Sequence, residues 1–252
     1  MPIDYARRLT GKSRTATGNR QLGWALAFIA GATNAGAFLA VRQYTSHMTG
    51  IVSSMADSLV LGEISTAIAA FGALLSFLLG AAVSAILVNY ARRRQLQSEF
   101  ALPLLLEAAL LLVFGLLGAW LSKIHGLFVP VTVMLLCFMM GLQNAVITKV
   151  SRSVIRTTHV TGVVTDIGIE LGKLLYWNRI QLDPSLRVTA DRDRLTVLSL
   201  LVLSFFSGGV IGAIGFQHLG YAMTVPLAVI LIVLASVPAA DDIRAYFEKT
   251  EG

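Results

Sequence analysis

Two short polar segments share the same reactive residues at the same spacing in an otherwise apolar chain. They are "TSHMTG" at residues 45–50 and "TTHVTG" at residues 157–162. Each contributes an imidazole, from His47 and His159, that can donate hydrogen bonds or relay protons near neutral pH. Each also contributes hydroxyls, which cap helix starts, and a glycine, which permits close approach of backbone or ligand.

If the two segments met, these groups would form a site for a small anionic or polar solute. The start of a helix leaves backbone N–H groups free and carries partial positive charge, so two facing helix starts suit an anion or a dipole. Ser46 or Thr49 in one segment, and Thr158 or Thr161 in the other, are expected to cap these starts. The predicted site residues are His47, Thr49, Gly50, His159, Thr161 and Gly162. The alternative interpretation is two ordinary loops at the membrane surface, with each His facing lipid headgroups.

The composition predicts an integral membrane protein. Of 252 residues, 56% are hydrophobic and 13% are charged, and the mean hydropathy is +0.73, well above that of an ordinary soluble domain. The single cysteine, Cys137, excludes an internal disulfide. Phosphate-binding loops, zinc-binding helices and nucleophile elbows are missing from the sequence, and the basic clusters lack interleaved aromatics. We therefore expect no enzymatic activity, no cofactor, no metal site and no nucleic-acid partner.

The positions of the charges predict six membrane spans, since about 20 apolar residues cross a bilayer. The spans lie within 20–42, 64–91, 103–122 and 124–148, with two more within 195–240 joined by a turn at "GFQHLG", residues 215–220. The moderately apolar segments after the two hexapeptides contain acids, namely Asp57 in the first and Asp166 and Glu170 in the second. These two segments are not expected to cross.

The basic residues orient the spans, because Lys and Arg concentrate in short cytoplasmic loops. With six spans, every basic residue except Arg42 and Lys123 falls on the cytoplasmic side, and so do both termini. The basic leader precedes a long apolar run, so it is interpreted as the start of an uncleaved first helix. The predicted organisation is a cytoplasmic leader (1–20), a first membrane repeat (21–122), a second membrane repeat (123–240) and a cytoplasmic tail (241–252).

The two halves of the chain resemble one another beyond the hexapeptides. "GATNA" at 31–35 matches "GLQNA" at 141–145, and "SFLLGAAVSAI" at 76–86 matches "SFFSGGVIGAI" at 204–214. Because each repeat holds three spans, the second enters the membrane from the opposite side. The predicted fold is an all-α integral membrane protein with six transmembrane helices, arranged as a 3+3 inverted repeat with two short re-entrant or interfacial helices. Channels and transporters of this kind bind solute near the midplane.

Polar residues inside the predicted spans are further candidates for the site. Asn34, Gln143 and Asn144 either join helices by hydrogen bonds or contact a solute. Glu107 is the one carboxylate within a span, and it is either functional or a hydrogen-bonded acid near the cytoplasmic end. A stripe of small residues on the second span and its match on the fifth are predicted to pack helices closely: Gly72, Ser76, Gly80 and Ser84, and Ser204, Gly208 and Gly212.

The sequence resembles the YoaK-type family of bacterial inner-membrane proteins, which carry a domain of unknown function. The resemblance rests on "GATNAGAFLAV", "HMTG", "GLQNAVITKV" and "TTHVTG", and it extends from about residue 22 to 240. It implies a multi-pass protein of the bacterial inner membrane.

Three hypotheses for function follow from these features. The leading one is a small-molecule transporter or channel, whose partners are the lipid bilayer and a small anionic or polar solute. The second is a membrane-embedded enzyme that uses His47 and His159 with Asp57, Asp166 or Glu170. The third is a membrane assembly protein whose repeat is purely architectural. The sequence assigns no oligomeric state.

Overall fold

The computed structural model describes residues 16–96, 99–121, 125–150, 160–177 and 187–250. Every regular element in these ranges is helical, so the expected all-α fold is confirmed. In chain order the elements are α1 (Ala16–Val41), α2 (Met48–Val60), α3 (Ile64–Arg93), α4 (Ala101–Leu121), α5 (His125–Val150), α6 (Val160–Leu175), α7 (Arg192–Leu219), a 3-10 turn (Gly220–Met223) and α8 (Thr224–Thr250). The bounds of the first four long helices follow the charge-free windows of the sequence closely.

Five segments in the described residues are long and apolar enough to cross a membrane. Four lie in α1, α3, α4 and α5, and the fifth, Arg192–Ser236, contains α7 and the first part of α8. The surface also suits lipid, because α3 buries small residues such as Ala73 and exposes large ones such as Ile68 and Leu78. Lipid is as apolar as leucine, so membrane helices associate through small residues that permit close packing.

The short helices α2 and α6 do not belong to the membrane-length segments. They have 13 and 16 residues, which corresponds to lengths of roughly 20 and 24 Å. The hydrocarbon core of a bilayer is about 30 Å thick. The structure thus agrees with the expectation that neither segment crosses alone.

Helices α1 and α7 touch backbone to backbone. A side chain at Gly31 would overlap the carbonyl oxygen of Phe205, and one at Gly208 would overlap that of Phe28. The absence of a side chain at each glycine is therefore what lets these two helices approach so closely.

Helices α3 and α5 repeat this contact. A side chain at Gly80 would overlap the carbonyl oxygen of Phe138, and one at Gly141 would overlap that of Phe77. In both helix pairs each glycine lies three residues after a phenylalanine, and it meets the phenylalanine carbonyl of the other helix. The two helix pairs therefore use one packing arrangement.

The members of each pair run in the same direction. In α1 and α7, Trp24 Nε1 donates a hydrogen bond to the carbonyl of Val197 at 3.3 Å, near the start of both helices and ahead of the glycine contacts. In α3 and α5, Lys149 Nζ donates to Asn89 Oδ1 at 3.0 Å, near the end of both and beyond the glycine contacts.

A buried hydrogen-bond network relates the direction of α5 to those of α1 and α4. Gln143, two turns before the end of α5, donates to Glu107 near the start of α4 and to the carbonyl of Leu26 in the first half of α1. Hence α5 runs opposite to both α1 and α4. The directions of the helix pairs then place α1, α4 and α7 in one orientation and α3 and α5 in the other.

The turn between α7 and α8 differs from the prediction. Residues 215–219 were expected to form the turn, but they are helical, and a 3-10 turn at Gly220–Met223 separates α7 from α8. Gly220 has a φ of 58°, in the left-handed region that favours glycine. Gly118, near the end of α4, provides the space for the ring of Tyr221. α8 then continues to Thr250, so residues 241–250 of the predicted tail belong to a helix.

Candidate functional site

The first hexapeptide lies in the connection between α1 and α2. Ser46 Oγ donates a hydrogen bond to Asn34 Oδ1 at 3.1 Å, and the side chain of Thr45 is buried. Asn34, one of the predicted solute-binding residues, therefore anchors this segment to α1. A long-range hydrogen bond of this kind fixes where α2 begins.

His47 is the first residue of the turn that opens α2. It holds the N-cap position, and no side chain caps the helix start. The expectation that Ser46 or Thr49 caps α2 is wrong, because the hydroxyl of Ser46 bonds to Asn34 instead. The imidazole folds back over Gly50, where a Cβ would come 2.5 Å from His47 Nδ1. Gly50 is thus required by the position of the imidazole.

A cavity of about 840 Å³ lies beside this turn, and we call it the α2 cavity. It is bounded by the connection after α1, by α2, and by the N-terminal halves of α3 and α5. Its floor is apolar and includes Ile51, Ala73 and Val133, which belong to a buried cluster with Cys137. Its polar wall consists of Arg42, Gln43, Tyr44, His47, Ser54 and Thr66. An apolar floor with a few polar groups is typical of small-molecule sites.

The predicted residues of the first segment contribute unequally to the α2 cavity. His47 and Gly50 line it, whereas Thr49 is exposed elsewhere on α2 and is not part of the lining. Asn34 does not line the cavity, but it accepts a hydrogen bond from Ser46 in the connection that forms part of the wall. The chemistry available at the cavity is therefore that of an imidazole, a guanidinium, hydroxyls and an amide around an apolar floor.

The second hexapeptide is described only in part. His159 and Thr158 lie outside the described residues, while Thr161 and Gly162 are exposed in the first turn of α6. α6 packs on the N-terminal end of α7, where Arg194 pairs with Asp166 at 3.0 Å. This end of the bundle is therefore richer in charge than the α2 cavity.

Glu170 is the buried centre of the contact between α6 and α7. Its side chain is only 2% exposed, and it accepts hydrogen bonds from Lys173 Nζ at 2.8 Å and from the backbone N–H of Asp191 at 2.9 Å. These hydrogen bonds, with that from Lys173 the largest cause, hold the pKa of Glu170 below its usual value. The carboxylate is thereby kept in its charged form and joins α6 to the start of α7.

Within the described residues, the helices that follow the two hexapeptides, α2 and α6, pack at different places in the bundle. α2 packs against the N-terminal half of α3, and α6 against the N-terminal end of α7. Because α3 and α7 run in opposite directions, the two short helices lie at opposite ends of the bundle. The α2 cavity and the contact between α6 and α7 are therefore separate places, and the joint site stays a prediction because His159 lies outside the described residues.

The other predicted polar residues lie away from the α2 cavity. Gln143 and Glu107 are fully buried and bonded to one another at 2.7 Å. They join α1, α4 and α5, which is an interhelical role. Asn144 lines a smaller groove of about 290 Å³ between α3 and α5, together with Thr148 and Lys149. None of the three is part of the cavity lining that the structure describes.

Sequence reasoning missed two features of the site. Arg42 and Tyr44 line the α2 cavity, although Arg42 had been noted only as a basic residue on the wrong side of the membrane. The pairing of Asp166 with Arg194 was also missed. The predicted position of Arg42 was the available signal, since Arg42 and Lys123 were the two basic residues that the charge bias left outside the cytoplasm.

The fold and the site define a helical protein that has several helices long and apolar enough to span a membrane and a cavity beside a shorter helix. The chain belongs to the family described as "Protein of unknown function (DUF1275)", whose model matches residues 22–237. This agrees with the resemblance seen in the motifs. No curated protein and no solved structure matches the chain.

Proposed function

We propose that the protein moves a small solute across the bacterial inner membrane and that the α2 cavity is its binding site on the external side. The observation that carries this proposal is the cavity itself, which lies between a short helix and helices of membrane length. Non-helical backbone at membrane depth is stable only in protein or beside an aqueous cavity, which is where the connection at residues 42–47 lies.

In this proposal the chain has six spans in two inverted repeats. α7 and α8, with 28 and 27 residues, are each long enough to cross. The repeated glycine contacts support the symmetry, because Gly31 and Gly141 occupy matching places in the repeats, as do Gly80 and Gly208. Each close helix pair then consists of one helix from each repeat. Such an interface between repeats is where transporters of this architecture rearrange.

The positive-inside rule orients this bundle with both termini in the cytoplasm. The end of α1 and the starts of α3 and α5 then face outward, and the α2 cavity opens to the exterior. α6 lies at the cytoplasmic end. Solute would therefore reach the two short helices from opposite sides of the membrane.

The two ends of the bundle differ, and the difference supports a solute path that is open only at the external end. In the repeat alignment Ser54 and Thr66, which line the α2 cavity, correspond to Asp166 and Arg194. The pair at the cytoplasmic end is joined by an ion pair at 3.0 Å. Hydroxyls leave the external position open, whereas the ion pair bridges α6 and α7 at the corresponding position inside.

The enzyme hypothesis finds less support. It joined His47 and His159 with Asp57, Asp166 or Glu170. Asp166 and Glu170 lie on α6 and are engaged by Arg194 and Lys173, and Asp57 is not part of the described lining of the α2 cavity. We therefore propose a function without catalysis.

Reconstituted vesicles test the proposed function. Vesicles with wild-type protein, vesicles with a Ser54→Cys variant blocked by a bulky maleimide, and protein-free vesicles would be incubated with a defined mixture of small anionic, neutral and cationic organic solutes. Mass spectrometry of the vesicle contents should show at least one solute that enters only with the unblocked protein. Equal contents in all three preparations would contradict the proposal.

A further inference from the structure

Arg42 has an unusual backbone conformation at the wall of the α2 cavity. It follows the last residue of α1 and has a φ of 57°, in the left-handed region that residues other than glycine rarely adopt. Its N–H donates to the carbonyl of Phe38 at 2.9 Å, which closes the end of the helix. Glycine would serve this turn at lower conformational cost, roughly 1 kcal/mol or more. The side chain of Arg42 therefore needs an explanation other than the turn.

The guanidinium of Arg42 contacts one aromatic ring, which itself stacks on another. It lies over the ring of Phe38 at 6.0 Å from the centroid. Phe38 in turn stacks on Tyr44, with 4.8 Å between ring centroids and 18° between ring planes. Cation–π contact and ring stacking restrict the side chain without neutralising its charge. A preorganised guanidinium binds carboxylates and phosphates well because its donors form a fixed planar fork.

The charge of Arg42 has no acidic partner in the part of the chain that the structure describes. Among the other described cations, Arg92 pairs with Glu99 and Arg194 with Asp166, whereas Arg94, like Arg42, lies over an aromatic ring. The described lining of the α2 cavity contains no Asp or Glu. The start of α2, which no side chain caps, lies on the same wall and adds partial positive charge. The cavity thus combines a fixed cation, an uncapped helix start and an apolar floor.

From this arrangement we propose that the α2 cavity binds a small organic anion, with its carboxylate or similar group against Arg42 and its apolar part on the floor. His47 and Tyr44 lie on the same wall and supply hydrogen bonds to the anion. The proposal deepens the proposed function by naming its substrate class, and it rests on that function only for the role of the cavity. The charge preference of the cavity can be measured without any transport.

Thiol reactivity provides the first test. Ser54 lines the cavity, whereas its neighbour Ser53 is exposed on α2 outside it. The native Cys137 is fully buried, and an unsubstituted sample measures its background. The thiol of Ser54→Cys would react with two methanethiosulfonates, one carrying a sulfonate and the other a trimethylammonium group. The ratio of the sulfonate rate to the trimethylammonium rate should fall about fivefold or more when Arg42→Gln is added. This is the size expected for the loss of a nearby unit charge in a partly solvated site. Arg42→Lys should preserve the ratio, and Ser53→Cys should show little change.

Arg42→Gly and Arg42→Asn keep the test independent of folding, because both residues suit a left-handed φ. Their thermal stability should equal or exceed that of the wild type, while the rate ratio at Ser54→Cys falls as with Gln. A ratio that does not depend on residue 42 in these folded variants would overturn the anion site. Failure of the vesicle assay would leave this result unaffected, so the two proposals fail separately.

Protection by matched probes tests binding directly. Benzoate should slow the reaction of Ser54→Cys with a neutral maleimide, and benzyl alcohol should do so much less. The benzoate effect should disappear in Arg42→Gln. Equal protection by both probes would overturn the proposal. So would protection by phosphatidylglycerol alone in phosphatidylcholine nanodiscs, because the anion would then be a lipid headgroup.

Discussion

The backbone carbonyl of Phe138 occupies the space in which a side chain at Gly80 would begin. Among the described residues, four glycines meet a phenylalanine carbonyl in this way, two in each of two helix pairs, and Gly212 meets the backbone of Ala32. Together these contacts set how closely α3 approaches α5 and α1 approaches α7. An overlap with backbone cannot be relieved by moving a flexible side chain. The helices themselves would have to separate.

Gly80→Ala should therefore destabilise the protein by about 1–3 kcal/mol, the usual cost of overpacking an interior. Gly141→Ala should have a similar effect, because it separates the same helix pair from the other side. Thermal unfolding in detergent measures both. Gly72 on the same helix has open space around it, so Gly72→Ala should be neutral or stabilise by up to about 1 kcal/mol. Equal effects at positions 72 and 80 would contradict this account of the packing.

The hydrogen bond between Gln143 and Glu107 predicts a coupled pair of substitutions. Gln143→Met alone leaves the Glu107 carboxyl buried without its donor, which should cost about 1–3 kcal/mol. Combining it with Glu107→Leu should recover part of this loss, because no buried polar partner then remains. A double-mutant cycle in thermal unfolding measures the coupling.

Thr33 provides the control for this cycle, because it is the counterpart of Gln143 in the repeat alignment. Its hydroxyl is buried and has no hydrogen-bond partner among the described residues. Thr33→Val should be neutral or slightly stabilising. Strict additivity of the two substitutions at Gln143 and Glu107 would mean that their hydrogen bond contributes nothing.

Glu170 predicts a pH dependence of the contact between α6 and α7. Its pKa is lowered by Lys173 and by the backbone of Asp191, so its charged form stabilises the folded state above the usual glutamate pKa of about 4.3. That stability is lost as the pH falls through the lowered pKa. The difference in unfolding temperature between wild type and Glu170→Gln should therefore be constant near neutral pH and shrink in acid. A difference that grows on acidification would have the wrong sign.

The closeness of Gly50 to the imidazole of His47 predicts that substitutions at the two positions are not additive. Gly50→Ala should displace the imidazole from its place at the wall of the α2 cavity, because the added Cβ would come 2.5 Å from Nδ1. This should weaken protection of Ser54→Cys by benzoate. In a His47→Ala background the same Gly50→Ala change should have little further effect. Full additivity of the two substitutions would show that the imidazole does not depend on Gly50.

The sequence predicted the membrane helices well because a bilayer requires long segments of apolar composition. Charges are excluded from its interior, and the charge-free windows therefore locate α1, α3, α4 and α5 within a few residues. The turn before α8 was misplaced because Gly215 and Gly220 look alike in sequence. Only Gly220 takes a positive φ, and that depends on how α7 ends.

The site was harder to predict because it depends on long-range packing. The hexapeptide pointed to His47 and Gly50, but the contact of Arg42 with Phe38 arises only once α1 ends in a left-handed turn. The separation of α2 from α6 follows from the directions of α3 and α7. Four of the Phe-x-x-Gly stretches were the sequence signal for the helix pairs, and they become meaningful only when both members of a contact are known.

The most direct test of the central claim compares the two ends of the bundle. Ser54→Cys and Thr161→Cys place single exposed thiols at the α2 cavity and at the start of α6, with the buried Cys137 as background. A membrane-impermeant maleimide should label Ser54→Cys in intact spheroplasts and Thr161→Cys only in inside-out vesicles. Labelling of both thiols from the same side would contradict the inverted arrangement, and with it the proposed path from the α2 cavity to the cytoplasmic end.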